Sequence, residues 1–342
     1  MFRFRYLIIA IFTLIACRLS AQQIQAARNP VPDPKNINIE SIDKVRGKLR
    51  TGAEQTELYL PYLKGKRIGM VVNPTSVIGS TTVVDSLLAL GVKIVKIFGP
   101  EHGFRGDASA GIHVDDSFDA KTGIPAISLY GKHNKPTKED LADIDLMIYD
   151  IQDVGVRFYT YINTLQHVME ACADHNKELL ILDRPNPNGF YVDGPILDPK
   201  LKSGIGINPI PITHGLTIAE YAQMLNGQEW LANKVKCTIK VIKNANYSHA
   251  IPYILPVKPS PNLNTAQSIL LYPSLCLFEG TIISQGRGTY FPFTILGNPD
   301  LKGNYKFSFV PKGIKGMSET PLQMNKECYG IDLRQYSTKK IR

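Results

Sequence analysis

The 342-residue chain lacks the short motifs that identify several common enzyme classes. No GxGxxG follows a predicted strand with an acid downstream, which argues against a dinucleotide cofactor. GxxxxGK[ST], GxSxG and HExxH are also absent, and these mark P-loop phosphate sites, serine hydrolases on similar sheets and zinc peptidases. We therefore expect no cofactor. The formal net charge of +9 is spread along the chain rather than gathered in one block, so we expect no nucleic-acid partner.

Cysteine is scarce, and long apolar runs are absent after the first twenty residues. The five cysteines show no CxxC or zinc-ribbon spacing, so we interpret those beyond Cys17 mostly as buried thiols, with one disulfide left open. Residues 1–21 have the pattern of a secretory signal, with Arg3 and Arg5 before a short apolar run. Cleavage after Ala21 is favoured, while Leu14-Ile15-Ala16-Cys17 also resembles a lipoprotein box. Either route predicts export, to the periplasm or outside the cell, with an anchor at Cys17 as the alternative.

Apolar strands alternate with amphipathic helices from about residue 66 to residue 242. Continuously apolar strands in such an alternation predict an α/β fold with a mostly parallel, doubly wound, Rossmann-like sheet. The strand at residues 124–130 contains Pro125, which favours an edge position. After residue 245 prolines and asparagines become frequent and the alternation fades. We predict a linker at 22–50, a Rossmann-like catalytic domain at 51–245 and a smaller α+β C-terminal domain at 246–342.

Charged and amide side chains gather where the predicted strands end. In a parallel sheet these ends lie along one edge, where ligands of open α/β sheets bind. Capping explains Glu220 better than catalysis does, because Thr217-Ile218-Ala219-Glu220 is a capping box. The strand-end residues are Asn73, Glu101, Asp150, Asp153, Asp183, Arg184 and Asn186.

Paired carboxylates at such an edge favour glycoside hydrolysis. That reaction needs one protonated carboxyl group to donate to the leaving oxygen and commonly a second carboxylate as base or nucleophile. Glu101 lies near Phe104, an apolar neighbour that could raise its pKa, and Asp150 or Asp153 could face it. His102, next to Glu101, completes a Glu-His pair between glycines. A metal could also be assembled from His102, Asp150, Asp153, Asp183 and His214, although their spacing matches no known ligand pattern.

Two arginines could bind an anion beside the carboxylates. Arg157 precedes the aromatic residues Phe158 and Tyr159, and it could instead pair with Asp153, four residues earlier. Arg287 stands between two glycines, which let a ligand approach closely. Glu279 could point into the same cleft or could be the ion-pair partner of Arg287.

These stretches together resemble the exo-acting β-N-acetylmuramidases of bacterial peptidoglycan turnover, glycoside hydrolase family 171. The resemblance runs from about residue 66 to about residue 335 and depends on the combination of its pieces. The pieces are Asn73-Pro74-Thr75, Gly99-Pro100-Glu101-His102-Gly103-Phe104-Arg105-Gly106, the run from Asp150 to Tyr161, Asp183-Arg184-Pro185-Asn186-Pro187, His214-Gly215-Leu216-Thr217, Ser260-Pro261-Asn262-Leu263 and the run from Phe278 to Thr289.

The resemblance implies a Rossmann-like domain and a smaller C-terminal domain around a cleft, and release of N-acetylmuramic acid from non-reducing ends of peptidoglycan fragments. It implies Glu101 as the general acid and muramyl saccharides as partners, and we expect no stable protein partner. Family members usually continue for some tens of residues beyond the segment around Leu333, so we expect an incomplete C-terminal domain. A non-catalytic cell-wall sugar-binding protein and a metal-dependent hydrolase are the alternatives.

Overall fold

A seven-stranded sheet forms the centre of the described part of the chain. The computed structural model describes residues 47–100, 103–105, 117–131 and 133–337. Six of the strands are parallel, and a very short seventh strand pairs antiparallel at one edge. In spatial order the strands are β5 Ser117–Phe118, β6 Pro125–Ser128, β4 Ile94–Gly99, β1 Ile68–Val72, β7 Leu146–Asp150, β8 Glu178–Leu182 and β9 Ile239–Ile242. A separate hairpin contains β2 Val77–Ile78 and β3 Thr81–Thr82.

The order of the six parallel strands confirms the predicted fold class. Counted along the chain, they lie in the order third, second, first, fourth, fifth, sixth, as in doubly wound Rossmann folds. Val71 of β1 registers with Phe98 of β4 on one side and with Tyr149 of β7 on the other. The winding direction reverses between β1 and β7, so the topological switch point lies there.

Helices cover both faces of the sheet, because successive side chains of a strand point to opposite faces and those of the central strands are apolar on both. Met70 and Ile148 pack in one buried cluster with α1 and α2, whereas Val71 and Tyr149 pack in another with α3, α4 and α5. This two-sided burial explains why the central strands have no polar face. In chain order the described helices are α1 Thr56–Leu63, α2 Val83–Ala89, α3 Lys138–Leu141, α4 Tyr161–Asp174, α5 Ile218–Gly227 and α6 Ala266–Leu275.

Two local predictions have different outcomes. The capping box is confirmed: the Thr217 hydroxyl accepts from Glu220 N–H, and the Glu220 carboxylate accepts from Thr217 N–H at the start of α5. The edge position of the third strand is wrong, because β5 pairs with β6 on its outer side. Pro125 is tolerated because it is the first residue of β6, a position where a missing N–H costs little.

The C-terminal part has a small antiparallel sheet of its own. Its strands lie in the order β10 Ile295–Asn298, β12 Cys328–Asp332, β11 Phe307–Phe309. A third buried apolar cluster joins α6 and this sheet to the loop that follows β7, through Val154 and Val156. The loop after β7 is therefore packed against the C-terminal part. The domain boundary near residue 245 stays a prediction.

The described ranges contain four cysteines and six α-helices. Cys172, Cys237 and Cys328 are buried, Cys276 is partly exposed, and all four are free thiols. Within those same ranges, no helix combines the length and the apolar character that a membrane crossing requires.

Candidate functional site

The rim, which we define as residues 73–76, 150–153 and 183–186, lies at the carboxyl ends of β1, β7 and β8. Val72, the last residue of β1, registers with Asp150, the last residue of β7. The switch point is therefore flanked by Asn73 on one strand and by Asp150 on the other. This is the position at which open α/β sheets form their ligand crevice.

The loop after β1 is fixed to the rim by side-chain hydrogen bonds. Asn73 Oδ1 accepts from the Thr75 N–H at 2.9 Å and from its hydroxyl at 2.5 Å. The Ser76 hydroxyl donates to the Asp150 carbonyl, and Gln152 N–H donates to Thr75 Oγ1 at 3.0 Å. Buried Asn73 Nδ2 has no partner among the described residues, so it is a spare donor at the switch point.

Asp150 and Arg184 form a fully buried ion pair. Arg184 Nε donates to Asp150 Oδ1 at 2.5 Å, and an Nη donates to Oδ2 at 2.9 Å. The same Nη also donates to the Val77 carbonyl at 3.0 Å. Both carboxylate oxygens are thus used within the protein, and the geometry favours a structural role for this pair.

Asp153 is held by one oxygen only. Its Oδ2 accepts from Gly155 N–H at 2.6 Å and lies 3.5 Å from His214 Nε2. Leu216 N–H donates to His214 Nδ1 at 3.2 Å, which turns Nε2 of the ring towards Asp153. Asp153 Oδ1 is buried and has no partner in the described ranges. Of the two predicted aspartates, Asp153 is the one with a free oxygen.

The Asn186 side chain links the loop after β8 to the segment before α5, and both of its polar atoms are used within the protein. Its Nδ2 donates to the Leu216 carbonyl and its Oδ1 accepts from Asn188 N–H, both at 2.8 Å. A Cβ on Gly155, whose φ is +78°, would collide with the Asn186 side chain. Glycine is required there, because the left-handed backbone and the close approach coincide.

Asp183 is buried among neutral donors. Its Oδ1 accepts from Ala219 N–H at 3.0 Å, and its Oδ2 accepts from Asn244 Nδ2 at 2.8 Å. Burial raises the pKa of the carboxyl group to about 7, against the hydrogen bond from Ala219 N–H. The side chain joins β8 to the start of α5 and to the segment after β9.

Arg157 does not pair with Asp153. One of its Nη groups donates to the carbonyls of Ile210, at 2.5 Å, and Pro195, at 2.8 Å. Burial lowers the pKa of its guanidinium. Arg157 therefore fixes the 195–210 loop, and its side chain is not part of the cavity described next.

A cavity of about 190 Å³ lies between the loop after β7 and the C-terminal part. We call it the aromatic cavity, because five of its lining residues are aromatic. The Tyr159 hydroxyl donates to the Pro259 carbonyl at 2.7 Å, and the Tyr159 ring packs edge to face against Tyr161 and Tyr272. The lining is Phe158, Tyr159, Thr160, Tyr161, Ile205, Ser260, Asn262, Leu263, Tyr272, Glu279, Arg287 and Phe293.

Glu279 and Arg287 lie together in the wall of the aromatic cavity. Arg287 Nε donates to Glu279 Oε1 at 2.5 Å, and the guanidinium lies 5.1 Å from the centre of the Phe293 ring. Glu279 is thus the ion-pair partner of Arg287, and it also lines the aromatic cavity.

The predicted reason for the glycines beside Arg287 is wrong. Gly286 and Gly288 have φ of +80° and +79°. A Cβ on Gly286 would meet the Phe291 carbonyl at 2.8 Å, and one on Gly288 would meet Pro321 and the Lys312 carbonyl. These glycines serve the loop's own backbone and packing, not the approach of a ligand.

Glu101 and His102 lie outside the described residues, so the predicted Glu-His pair stays a prediction. Gly103 N–H donates to the Pro100 carbonyl at 2.9 Å, and Phe104 is buried against the sheet. Across the residues that the structure describes, no three His, Cys, Asp or Glu side chains come together as a metal site would require.

Two residues of the site were not among the predicted substrate-binding residues, although His214 was considered as a metal ligand. His214 faces Asp153, and Asn262 lines the aromatic cavity. Both lie in short motifs of the resemblance, His214-Gly215-Leu216-Thr217 and Ser260-Pro261-Asn262-Leu263. Those motifs were the available signal, since neither residue follows a strand of the large sheet.

Fold and site together define a Rossmann-like α/β protein with a carboxylate at its switch point and an aromatic cavity lined in part by the same loop. Two family profiles match the chain: the N-terminal domain of exo-β-N-acetylmuramidase NamZ over residues 68–267, and its C-terminal domain over residues 270–342. The chain belongs to the NamZ exo-β-N-acetylmuramidase family.

Individual relatives agree with this assignment. The chain is 42% identical over 290 residues to the peptidoglycan β-N-acetylmuramidase NamZ of Bacillus subtilis (strain 168). That alignment covers 81% of this chain and 66% of the relative, so the match spans slightly less than two thirds of the relative's length.

Two crystal structures share the fold, both of DUF1343 family proteins from Bacteroides fragilis NCTC 9343. They superpose with TM-scores of 0.80 and 0.75 at 48% and 32% sequence identity. Each comparison covers 86% of this chain and 79% of the crystal structure's chain.

Proposed function

We propose that the chain is an exo-β-N-acetylmuramidase that releases N-acetylmuramic acid from the non-reducing ends of peptidoglycan fragments. Family membership and the name of the B. subtilis relative support the reaction class. The observation that carries the proposal is Asp153: a buried carboxylate at the switch point, fixed through Oδ2, with Oδ1 unpartnered among the described residues.

The chemistry needs two groups with different protonation states. Glu101, two residues after the end of β4 in the sequence, is the proposed general acid that protonates the leaving oxygen. Asp153 is the proposed second carboxylate, acting as base or nucleophile, because ion pairing with Arg184 occupies both oxygens of Asp150. His214 Nε2 lies 3.5 Å from Oδ2, and the hydrogen bond from Gly155 N–H to Oδ2 holds the Asp153 carboxylate.

The aromatic cavity is lined in part by the same loop that contains this carboxylate. Phe158 and Tyr159, which line the cavity, follow Asp153 by five and six residues in the loop after β7. Aromatic faces suit sugar rings, and the proposed substrate site therefore extends from Asp153 into the cavity.

Hydrolysis of a chromogenic β-N-acetylmuramide, with and without a chelator, tests the proposal. The proposal predicts release of the chromophore in both conditions, together with release of N-acetylmuramic acid from muramyl-terminated fragments. Loss of activity with chelator would contradict the proposal and favour the alternative function, a metal-dependent hydrolase. Binding of the sugar without turnover would replace it with a cell-wall sugar-binding protein.

We also propose that the protein works outside the cytoplasm, which rests on the signal-like residues 1–21. The N-terminus of the protein recovered from an extracytoplasmic fraction tests this. A start at Gln22 supports ordinary cleavage, a lipidated Cys17 supports the anchored form, and an intact Met1 in the cytoplasm contradicts the proposal.

A further inference from the structure

The aromatic cavity combines a cation, a buried acceptor and apolar walls. Its charged residues are Arg287 and Glu279, and its walls include Tyr272 and Phe293. The volume of about 190 Å³ is below the roughly 300–1,000 Å³ of sites that enclose a whole drug-sized ligand. The cavity is therefore suited to one sugar residue or its substituents rather than to an oligosaccharide.

Arg287 is anchored at one end of its guanidinium only. Its Nε donates to Glu279 Oε1, and the guanidinium carbon lies 5.1 Å from the centre of the Phe293 ring. Neither Nη has a hydrogen-bond partner within the described ranges, although a guanidinium has five N–H donors in a planar arrangement. Two parallel donors are thus free to bind a carboxylate in the bidentate manner.

Glu279 is itself held from the other side. Its Oε2 accepts from Cys276 Sγ at 3.1 Å while its Oε1 accepts from Arg287. Burial raises the pKa of the Cys276 thiol, so it stays protonated and acts as a donor. With both oxygens engaged, Glu279 orients Arg287 more than it competes for a ligand.

We infer that Arg287 binds the lactyl carboxylate of an N-acetylmuramyl residue in the aromatic cavity and that Glu279 is the residue that positions it. This inference rests on the proposed function. The lactyl ether is what distinguishes N-acetylmuramic acid from N-acetylglucosamine, and a site that selects it needs a cation or converging N–H donors. Arg287 supplies the fork, and Arg157 does not line the cavity.

Asn262 gives the cavity a second polar contact for the same sugar. Its side chain is 2% exposed, and its Nδ2 donates to the Met317 carbonyl at 2.9 Å. Its Oδ1 has no partner among the residues described and is an acceptor in the cavity wall. An acetamido N–H or a hydroxyl group, which both sugars carry, fits this acceptor.

The test varies the protein and the substrate together. We would measure kcat/KM of the unmodified protein and of Arg287→Lys on a chromogenic β-N-acetylmuramide, its lactyl methyl ester and the matching glucosaminide. Lysine keeps the charge but loses the fork. The muramide should lose about tenfold or more, equivalent to about 1.4 kcal/mol, while the ester and the glucosaminide change by less than about twofold. Equal losses on all three substrates would overturn the inference.

Glu279 has its own readout. Glu279→Ala should raise KM for the muramide selectively, and Glu279→Gln, which keeps an acceptor for Arg287 Nε, should restore most of the selectivity. A matched control is Arg334→Lys, because Arg334 also pairs with a carboxylate, Asp332, and stacks on a ring, Phe291, but does not line the cavity. A similar loss of kcat on every substrate would assign Glu279 a structural role only.

Binding separates this inference from the proposed function. If no substrate is hydrolysed, calorimetry with free N-acetylmuramic acid and N-acetylglucosamine still decides. The inference predicts tighter binding of N-acetylmuramic acid, with the preference lost in Arg287→Lys. Equal affinity of the unmodified protein for both sugars would contradict it.

Discussion

The rim and the aromatic cavity each contain an arginine–carboxylate pair, and the two pairs are built differently. In the rim, Arg184 uses two nitrogens to bind both oxygens of Asp150, and the side chains are 2% and 0% exposed. In the cavity, Arg287 uses Nε alone to bind one oxygen of Glu279, and the side chains are 29% and 34% exposed.

The difference lies in the donors that remain. Arg184 donates three hydrogen bonds inside the protein, the third to the Val77 carbonyl, so little of its fork is left for a ligand. Arg287 keeps its terminal donors at the surface of a cavity. The same residue types therefore hold the fold in one region and can recognise a ligand in the other.

Breaking each pair should separate these roles most clearly through stability. Arg184→Met leaves Asp150 buried without its partner, which should lower the free energy of unfolding by about 3–5 kcal/mol. Arg287→Met should lower it by less than about 1 kcal/mol, because that pair is partly solvated. Urea unfolding of both variants measures the two losses of unfolding free energy. Equal losses would mean that both pairs stabilise the fold to the same extent.

Changing the proposed acid should affect turnover without affecting selectivity. Glu101→Gln removes the proton donor, so kcat should fall about a hundredfold or more on both the muramide and the glucosaminide. Affinity for the sugar should change little. Near-normal turnover would exclude Glu101 from the role, and a loss restricted to the muramide would place it with Arg287 in substrate selection.

Asp183, a residue of the rim, should make the stability of the protein depend on pH, and no such dependence is predicted for the cavity. The pKa of Asp183 is about 7 in the folded protein and near 3.8 when unfolded, so the folded state binds its proton more strongly. Stability from this group is present below pH 3.8 and is lost as pH rises towards 7. Asp183→Asn has no such titration, and its amide could donate to Asn244 Oδ1 after a flip of the Asn244 amide.

Unfolding at pH 5 and pH 8 measures this effect. The stability of the unmodified protein relative to Asp183→Asn should fall by on the order of 2–3 kcal/mol between the two pH values. Asp332→Asn, at an exposed ion pair, is the matched control. An unchanged difference between pH 5 and pH 8 would mean that Asp183 stays charged throughout.

Local sequence patterns were sufficient to predict much of the fold and several of the residues that form the rim. Apolar strands followed by Gly, Pro and polar residues predicted the sheet and put Asn73, Asp150 and Asp183 at its edge, since strand period and strand ends are local properties. The Thr217–Glu220 capping box was predictable for the same reason.

Long-range partners were not predictable from local patterns. Asp150 pairs with Arg184, 34 residues away, whereas the local candidate pair Asp153–Arg157 does not form. Two-residue β5 has no detectable period, so the edge of the sheet was misplaced. Asn262 reaches the cavity only because the C-terminal part packs on the loop after β7.

Asp153, free at one oxygen, is the carboxylate of the rim for which we propose a part in the chemistry. Turnover of the chromogenic β-N-acetylmuramide by Asp153→Asn tests it most directly, with Asp332→Asn as the control and urea unfolding as the check on folding. We expect kcat to fall about a hundredfold or more, with unfolding near that of the unmodified protein. A folded Asp153→Asn variant with near-normal kcat would contradict it.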